Sequence, residues 1–177
     1  MKVNIVLFQP EIPQNTGNIM RTCVGFNMKL HLIRPLGFHL DENHLKRSAV
    51  DYYEYVDYTI YDDFEDFKAK NKGAYFYLTR YGKKQLSDFN FSEVEDDIYL
   101  IFGRESTGIP YDILASNLDN CFRIPSTDKI RAFNLSNCVA MCSYEVMKQL
   151  DFVGLYKEEP ESLKGSNFLE DYRKKMI

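Results

Sequence analysis

The chain has 177 residues, 45% of them hydrophobic, and a formal net charge of −4. That suits one compact α/β domain with a sizeable core and leaves little room for a second. The acidic balance excludes a general basic field as the means of holding nucleic acid, so any RNA contact has to come from a local cluster. No stretch approaches the roughly 20 apolar residues needed to span a bilayer. The opening MKVNIVLFQPEIPQN lacks a small-residue cleavage site and meets a proline pair where an export signal would continue, so a cytoplasmic protein is expected.

In chain order, the apolar run at 3–8 reads as a strand, and 15–26 reads as a helix with Asn15 or Thr16 as its cap. Further strands are expected at 30–33, 55–61, 74–78, 98–102 and 121–124, with helices at 41–49, 62–70 and 110–117, the last opened by Pro110. This alternation predicts a mostly parallel sheet with helices on both faces. In such sheets ligands sit beyond the carboxyl ends of the strands, which directs attention to the loops after Phe8, Leu78, Phe102 and Ile124. The last strong helix, 134–150, carries Leu135, Cys138, Val139, Cys142, Val146 and Leu150 on one face. Ala140, Met141, Tyr144 and Met147 make its other side apolar too, so it has to be buried on two sides, of which one can be the domain's own core and the other is a candidate subunit interface. One domain is expected over 1–154, and residues 155–177 read as a polar extension, either a short amphipathic helix or a loose tail.

The cysteines Cys23, Cys121, Cys138 and Cys142 form no C-x-x-C pair and have no histidine at ligand spacing; reduced thiols and no metal site are expected. His31, His39 and His44 carry no partner signature. Neither G-x-G-x-x-G nor G-x-x-x-x-G-K-[ST] occurs, which removes the main support for a dinucleotide oxidoreductase or a P-loop NTPase.

Three segments remain that can carry chemistry. PEIPQNTGNIMRT follows the first strand and opens a helix, whose first N–H groups form an anion site. IFGRESTGIP ends a strand with two glycines that allow close backbone approach, and Arg104 and Glu105 offer a charge pair for ribose or phosphate. FRIPSTDKIRAFNLSNCVAM is a polar and basic loop feeding N-L-S-N at a helix start, where Asn134, Ser136 and Asn137 are caps or ligands. Basic residues collect around these loops at Lys46, Arg47, Arg80, Lys83, Lys84, Arg104, Lys129 and Arg131. The tyrosines Tyr52, Tyr53, Tyr55 and Tyr58 are either packing residues or base-stacking ones.

In this order, N-x-G-N-I-x-R at 15–21, F-G-x-E-x-x-G-I-P at 102–110, and I-P at 124–125 followed by N-L-S-N at 134–137 resemble the signature motifs of the SpoU branch of the SPOUT RNA methyltransferases. LFQPEIPQNTGNIMR and RSAVDYYEYV look like the minimal members that methylate the tRNA wobble ribose. The resemblance implies a C-terminal trefoil knot, which pattern reading alone would reject, and a homodimer through the knot helix. It also implies S-adenosylmethionine bound at Leu78, Gly103, Glu105, Gly108, Ile124, Ala132 and Leu135, with Ala132 standing where many relatives have Ser. Arg21, Asn15, Ser136 and Asn137 match the catalytic and substrate-side positions, and the implied partner is a tRNA anticodon stem-loop. Alignment of a ribose hydroxyl with the sulfonium methyl is then the main task, with Arg21 acting as a fork on ribose or phosphate rather than as a base. The alternatives are a sister enzyme acting on ribosomal RNA or another tRNA position, and a knot protein that binds RNA without catalysis.

Overall fold

The computed structural model describes residues 1–39 and 52–176. Within them the strands are β1 Val3–Phe8, β2 Lys29–Ile33, β3 Tyr58–Tyr61, β4 Ala74–Leu78, β5 Lys84–Gln85, β6 Ile98–Phe102 and β7 Cys121–Arg123. The helices are α1 Pro13–Gly25, α2 Phe64–Lys70, α3 Tyr111–Ala115, α4 Leu135–Gln149 and α5 Phe168–Lys175. The strands form one sheet in the order β3-β2-β1-β6-β4-β7-β5, and every pairing is parallel.

All residues of β1 and β6 are buried, as a parallel sheet covered on both faces demands. Side chains alternate between two cores. Ile5, Leu7, Leu30 and Leu100 face Ile19, Met20 and Cys23 of α1 and Val139, Cys142 and Val146 of α4. Val6, Phe8, Ile33 and Ile101 face Phe64 and Phe67 of α2 and Leu114 of α3. The expected α/β sheet with helices on both faces is therefore what forms.

Several boundaries differ from the sequence reading. The strand expected over 55–61 begins only at Tyr58, because Tyr53–Tyr55 closes a 3-10 turn in which Tyr52 and Tyr53 carbonyls accept from the Tyr55 and Val56 N–H groups. The first helix starts at Pro13, with Ile12 at the N-cap and no side-chain cap, so neither Asn15 nor Thr16 caps it. Proline at the first helical position needs no N–H partner and has the right φ, which releases Asn15 for other work. The helix expected over 62–70 starts at Phe64, where the Asp63 carboxylate accepts from Asp66 N–H. The one expected over 110–117 is a short α3. The two-residue β5 gave no periodic signal. The helix expected at 41–49 lies outside the described residues, as do His44, Lys46 and Arg47.

β7 lies between β4 and β5, so residues 79–97 loop around β7 and the segment after it. Phe91 N–H, in that loop, donates to Gln149 Oε1 at the end of α4 (3.1 Å). This wrapping is consistent with an α/β knot. Beyond α4, the chain runs through turns to the short helix α5, none of whose residues is buried.

His31, 1% exposed, sits in the second core. Its Nδ1 is 2.8 Å from the Tyr61 hydroxyl and its Nε2 3.3 Å from Asn4 Oδ1. Burial depresses its pKa from 6.5 to about 4, with Lys29 adding to the effect and Asp57 opposing it. The unfolded chain therefore takes up a proton at a pH where the folded one does not. The stability this group allows is complete above about 6.5 and is lost as pH falls toward about 4, by up to about 3 kcal/mol. Urea unfolding at neutral pH and near pH 4.5 should show that loss in the wild type and a smaller one in His31→Gln; equal losses would place the acid sensitivity elsewhere.

Candidate active site

The chain runs from β1 to β2 and β3 on one side of the sheet and then crosses to the other, so the strand order reverses between β1 and β6. A crevice beyond the carboxyl ends of the strands is expected at such a point. A cavity of about 660 Å³ lies there, lined by Ile12 and Asn15, by Leu78 to Tyr81, by Gly103 to Ile109, and by Ile124 and Arg131 to Leu135. All seven residues named for the cofactor, Leu78, Gly103, Glu105, Gly108, Ile124, Ala132 and Leu135, line it together, as does Asn15. Arg21, Ser136 and Asn137 do not.

The glycines are explained by the turn itself. A Cβ on Gly103 would stand 2.2 Å from the Gly108 carbonyl carbon and 2.3 Å from Ile109 N, and Gly108 has φ +75°. Arg104 and Gly108 exchange two backbone hydrogen bonds (3.2 and 2.9 Å). The loop after β6 thus closes on its own backbone, and a valine at Gly103 would break the turn before it obstructed any ligand. The sequence reads Gly103 as a glycine that allows close backbone approach to a ligand; the atoms that approach it here are those of Gly108 and Ile109.

The charge pair expected of Arg104 and Glu105 is also corrected, because each side chain is spent elsewhere. Glu105 Oε2 accepts from Glu11 N–H (2.8 Å), and Oε1 accepts from Ile12 N–H (3.2 Å) and Asn15 Nδ2 (3.0 Å). A carboxylate therefore sits at the start of α1, where orphan N–H groups and the helix dipole favour negative charge. Arg104 donates to Gln9 Oε1 and lies over the Phe8 ring. In return, Glu11 accepts from the N–H and hydroxyl of Ser106 (2.8 Å each), and these two bonds hold its pKa below the usual carboxylate value.

The network continues. Asn15 Oδ1 accepts from Asn134 Nδ2 (3.0 Å), and Asn134 Oδ1 accepts from the N–H and hydroxyl of Ser136 (2.9 and 2.7 Å). Glu105, Asn15, Asn134 and Ser136 thus join the loop after β6, the start of α1 and the start of α4 in one chain of hydrogen bonds. Ser136 is committed to the Asn134 cap, whereas Asn137 is exposed. Arg21 is exposed on α1 with its guanidinium 5.5 Å from the centre of the Tyr52 ring, and no carboxylate pairs with it among the described residues. Tyr52 in turn donates to the Gly17 carbonyl (3.1 Å).

Glu11, Gln9 and Tyr81 escaped the sequence reading as site residues, although the loops after Phe8 and Leu78 and the basic Arg80 were singled out. Gln9 and Glu11 sit directly after β1, in the loop already singled out, but nothing in their spacing says that they reach across to the loop after β6. Among the described residues no group of three or more His, Cys, Asp or Glu stands ready to hold a metal. The four cysteines are free and buried, and burial pushes Cys138 up to about 11 and Cys23 to about 12.

The family model described as the SpoU rRNA Methylase family matches residues 2–144. The chain belongs to the SpoU methylase family. A putative tRNA (cytidine(34)-2'-O)-methyltransferase of Geobacillus stearothermophilus is 49% identical over 88% of this chain and 99% of its own. The crystal structure of a putative RNA methyltransferase from Bacillus anthracis superposes with a TM-score of 0.84 at 50% identity, covering 89% of this chain and 99% of that one. A second structure, described as giving insights into the 2-OH methylation of C/U34 on tRNA, has a TM-score of 0.78 at 37% identity and covers 85% of this chain and 97% of its own. These likenesses extend over nearly the full length of the relatives.

Proposed function

We propose that the protein transfers the methyl group of S-adenosylmethionine to the ribose 2′-hydroxyl of nucleotide 34, the wobble position, of tRNA. The observation that carries this reading is the convergence of the three signature loops on one cavity at the sheet's switch point, in a chain whose full-length relatives bear that activity in their names. The cavity is of the size that small-molecule cofactors occupy. The lining also fits the group: Leu78, Ile124 and Leu135 are apolar walls, and Gly103 and Gly108 line the cavity beside them. When bound, the cofactor supplies an electrophilic sulfonium methyl.

The rest is the work of this chain's residues. Methyl transfer to a weak nucleophile depends on alignment, and the Glu105–Asn15–Asn134–Ser136 chain ties the cofactor loops to α1, which carries Arg21. Arg21 holds the ribose oxygen or the adjoining phosphate with a planar, always charged fork and stabilises the developing alkoxide. The displaced proton passes to solvent or to a neighbouring phosphate, because a guanidinium does not release one. Exposed Asn137 orients the ribose. Ser136 acts one step back, through the Asn134 cap.

Ala132→Phe tests the cofactor assignment. Ala132 is exposed and lines the cavity, so a large ring there fills space without disturbing the core. Cofactor affinity in calorimetry should fall about tenfold or more while thermal stability holds. Unchanged affinity would put the cofactor elsewhere.

A homodimer through α4 belongs to the same proposal. Met141 and Tyr144 are 41% and 55% exposed on this helix, and Tyr144 packs on Phe152 (centroids 5.4 Å apart), with Val153 exposed beyond it. An apolar surface of this kind calls for a partner, and a second copy buries it symmetrically. Tyr144→Asp should shift the protein toward monomer in light scattering, since a buried unpaired charge costs several kcal/mol; a wild-type monomer at micromolar concentration would contradict the dimer. We place the enzyme in the cytoplasm, where four buried free thiols stay reduced; no helix of the described residues is long and apolar enough to cross a membrane. The methyltransferase domain is taken to span 1–154 and the extension 155–177.

A further inference from the structure

The reading above leaves Arg80, Tyr81 and Tyr111 unused, although all three line the cavity. Tyr81 and Tyr111 are 57% and 67% exposed. Their rings meet edge to face with centroids 5.8 Å apart, and their hydroxyls are 3.3 Å apart. The Arg80 guanidinium lies 4.9 Å from the centre of the Tyr81 ring. This is a platform of two largely exposed rings and one cation beside the cavity.

The platform stands on firm supports. Thr79 N–H donates to the Phe122 carbonyl (2.9 Å), Gly82 N–H donates to the Thr79 carbonyl (3.2 Å), and Tyr81 N–H donates to Thr79 Oγ1 (3.3 Å). A Cβ on Gly82 would stand 2.5 Å from the Phe122 carbonyl carbon, so the turn is pressed onto β7. Tyr111 is the first residue of α3, directly after Pro110. Little rotational freedom of the backbone is left to lose when something stacks on these rings.

The local charge says what that something is. The chain is acidic as a whole, yet of the charged residues lining the cavity, Arg80, Arg104, Glu105 and Arg131, Glu105 is turned to the start of α1 and Arg104 to Gln9, which leaves two cations, Arg80 and Arg131, uncommitted there among the described residues. Exposed aromatic rings interleaved with cations, in a local positive field, are what single-stranded RNA readers offer to a base and its phosphate. We infer that an unpaired base of the substrate RNA, next to the nucleotide whose ribose is methylated, stacks on the Tyr81–Tyr111 pair, with Arg80 backing the ring and facing the phosphate. This inference rests on the reading of the protein as an RNA methyltransferase and adds the residues that select an unpaired loop.

The test uses the full chain and an anticodon stem-loop carrying 2-aminopurine at the position next to the target nucleotide. The wild type should quench the fluorophore on binding. Tyr81→Ala/Tyr111→Ala should abolish quenching and raise the RNA KM about tenfold or more, with kcat and cofactor affinity unchanged. Tyr81→Phe/Tyr111→Phe, which keeps the rings and loses only the hydroxyls, should restore quenching and most of the affinity. A double alanine variant that quenches and binds RNA like the wild type would overturn the inference. So would one that loses cofactor affinity instead, because the rings would then belong to the cofactor. If the wild type transfers no methyl group to tRNA, the functional reading fails, and the quenching titration still decides whether a base stacks here.

Discussion

Arg21→Ala should lose methyl transfer by about a hundredfold or more while cofactor affinity stays close to that of the wild type. Arg21 is exposed, lies over Tyr52 and stands outside the cavity lined by the cofactor loops, so its removal leaves those loops untouched. What is lost is a charge-assisted donor acting where charge develops, an interaction worth about 3 kcal/mol when it is made mainly in the transition state. The defect should therefore fall on turnover more than on binding. Arg21→Lys should recover only part of the rate, since a point charge cannot reproduce two parallel hydrogen bonds. Single-turnover methylation of an anticodon stem-loop, measured beside cofactor affinity, checks this. Full activity in the alanine variant would refute the role, and a large loss of cofactor affinity would move Arg21 to the cofactor side.

Glu105→Ala should cost both stability and activity. It strips the acceptor from the N–H groups of Glu11 and Ile12 and from the Asn15 amide at once. Such groups lose about 1–3 kcal/mol each when left unsatisfied and buried. Glu105 is half-buried and water can reach some of them, so a net loss of about 2–3 kcal/mol is expected in urea unfolding. Because Asn15 is also the link to Asn134, the start of α4 loosens with it, and turnover should fall more than stability alone explains. Glu105→Gln keeps one acceptor oxygen but turns an NH₂ toward donors, so it should lie between wild type and alanine. An alanine variant of wild-type stability would show that the contacts do not hold α1 in solution.

Much of this arrangement was legible in the amino-acid order. The continuous apolar run of β1 and the alternation of elements predicted a parallel sheet, and the rule for strand ends pointed to the loops that line the cavity. What escaped was reach across the fold. Asn15 carries the composition of a helix cap, but Pro13 starts the helix two residues earlier and leaves Asn15 free to join Glu105 and Asn134. Arg104 and Glu105 read as a pair because they are adjacent. In the structure one turns to Gln9 and the other to the α1 N-terminus. Gly103 read as a ligand position because glycine permits close approach, without any sign that the atoms approaching it are those of Gly108 and Ile109. Tyr81 and Tyr111 are 30 positions apart, and no periodicity connects them.

The central claim is methyl transfer to the ribose of nucleotide 34. It is tested most directly by incubating the purified protein with S-adenosylmethionine and tRNA from cells lacking its gene, then reading the digested nucleosides by mass spectrometry and mapping the modified position. The account predicts a gain of one methyl group on the ribose of the wobble nucleotide in the wild type and almost none with Arg21→Ala. Methylation on a base, at another position, or not at all would contradict it.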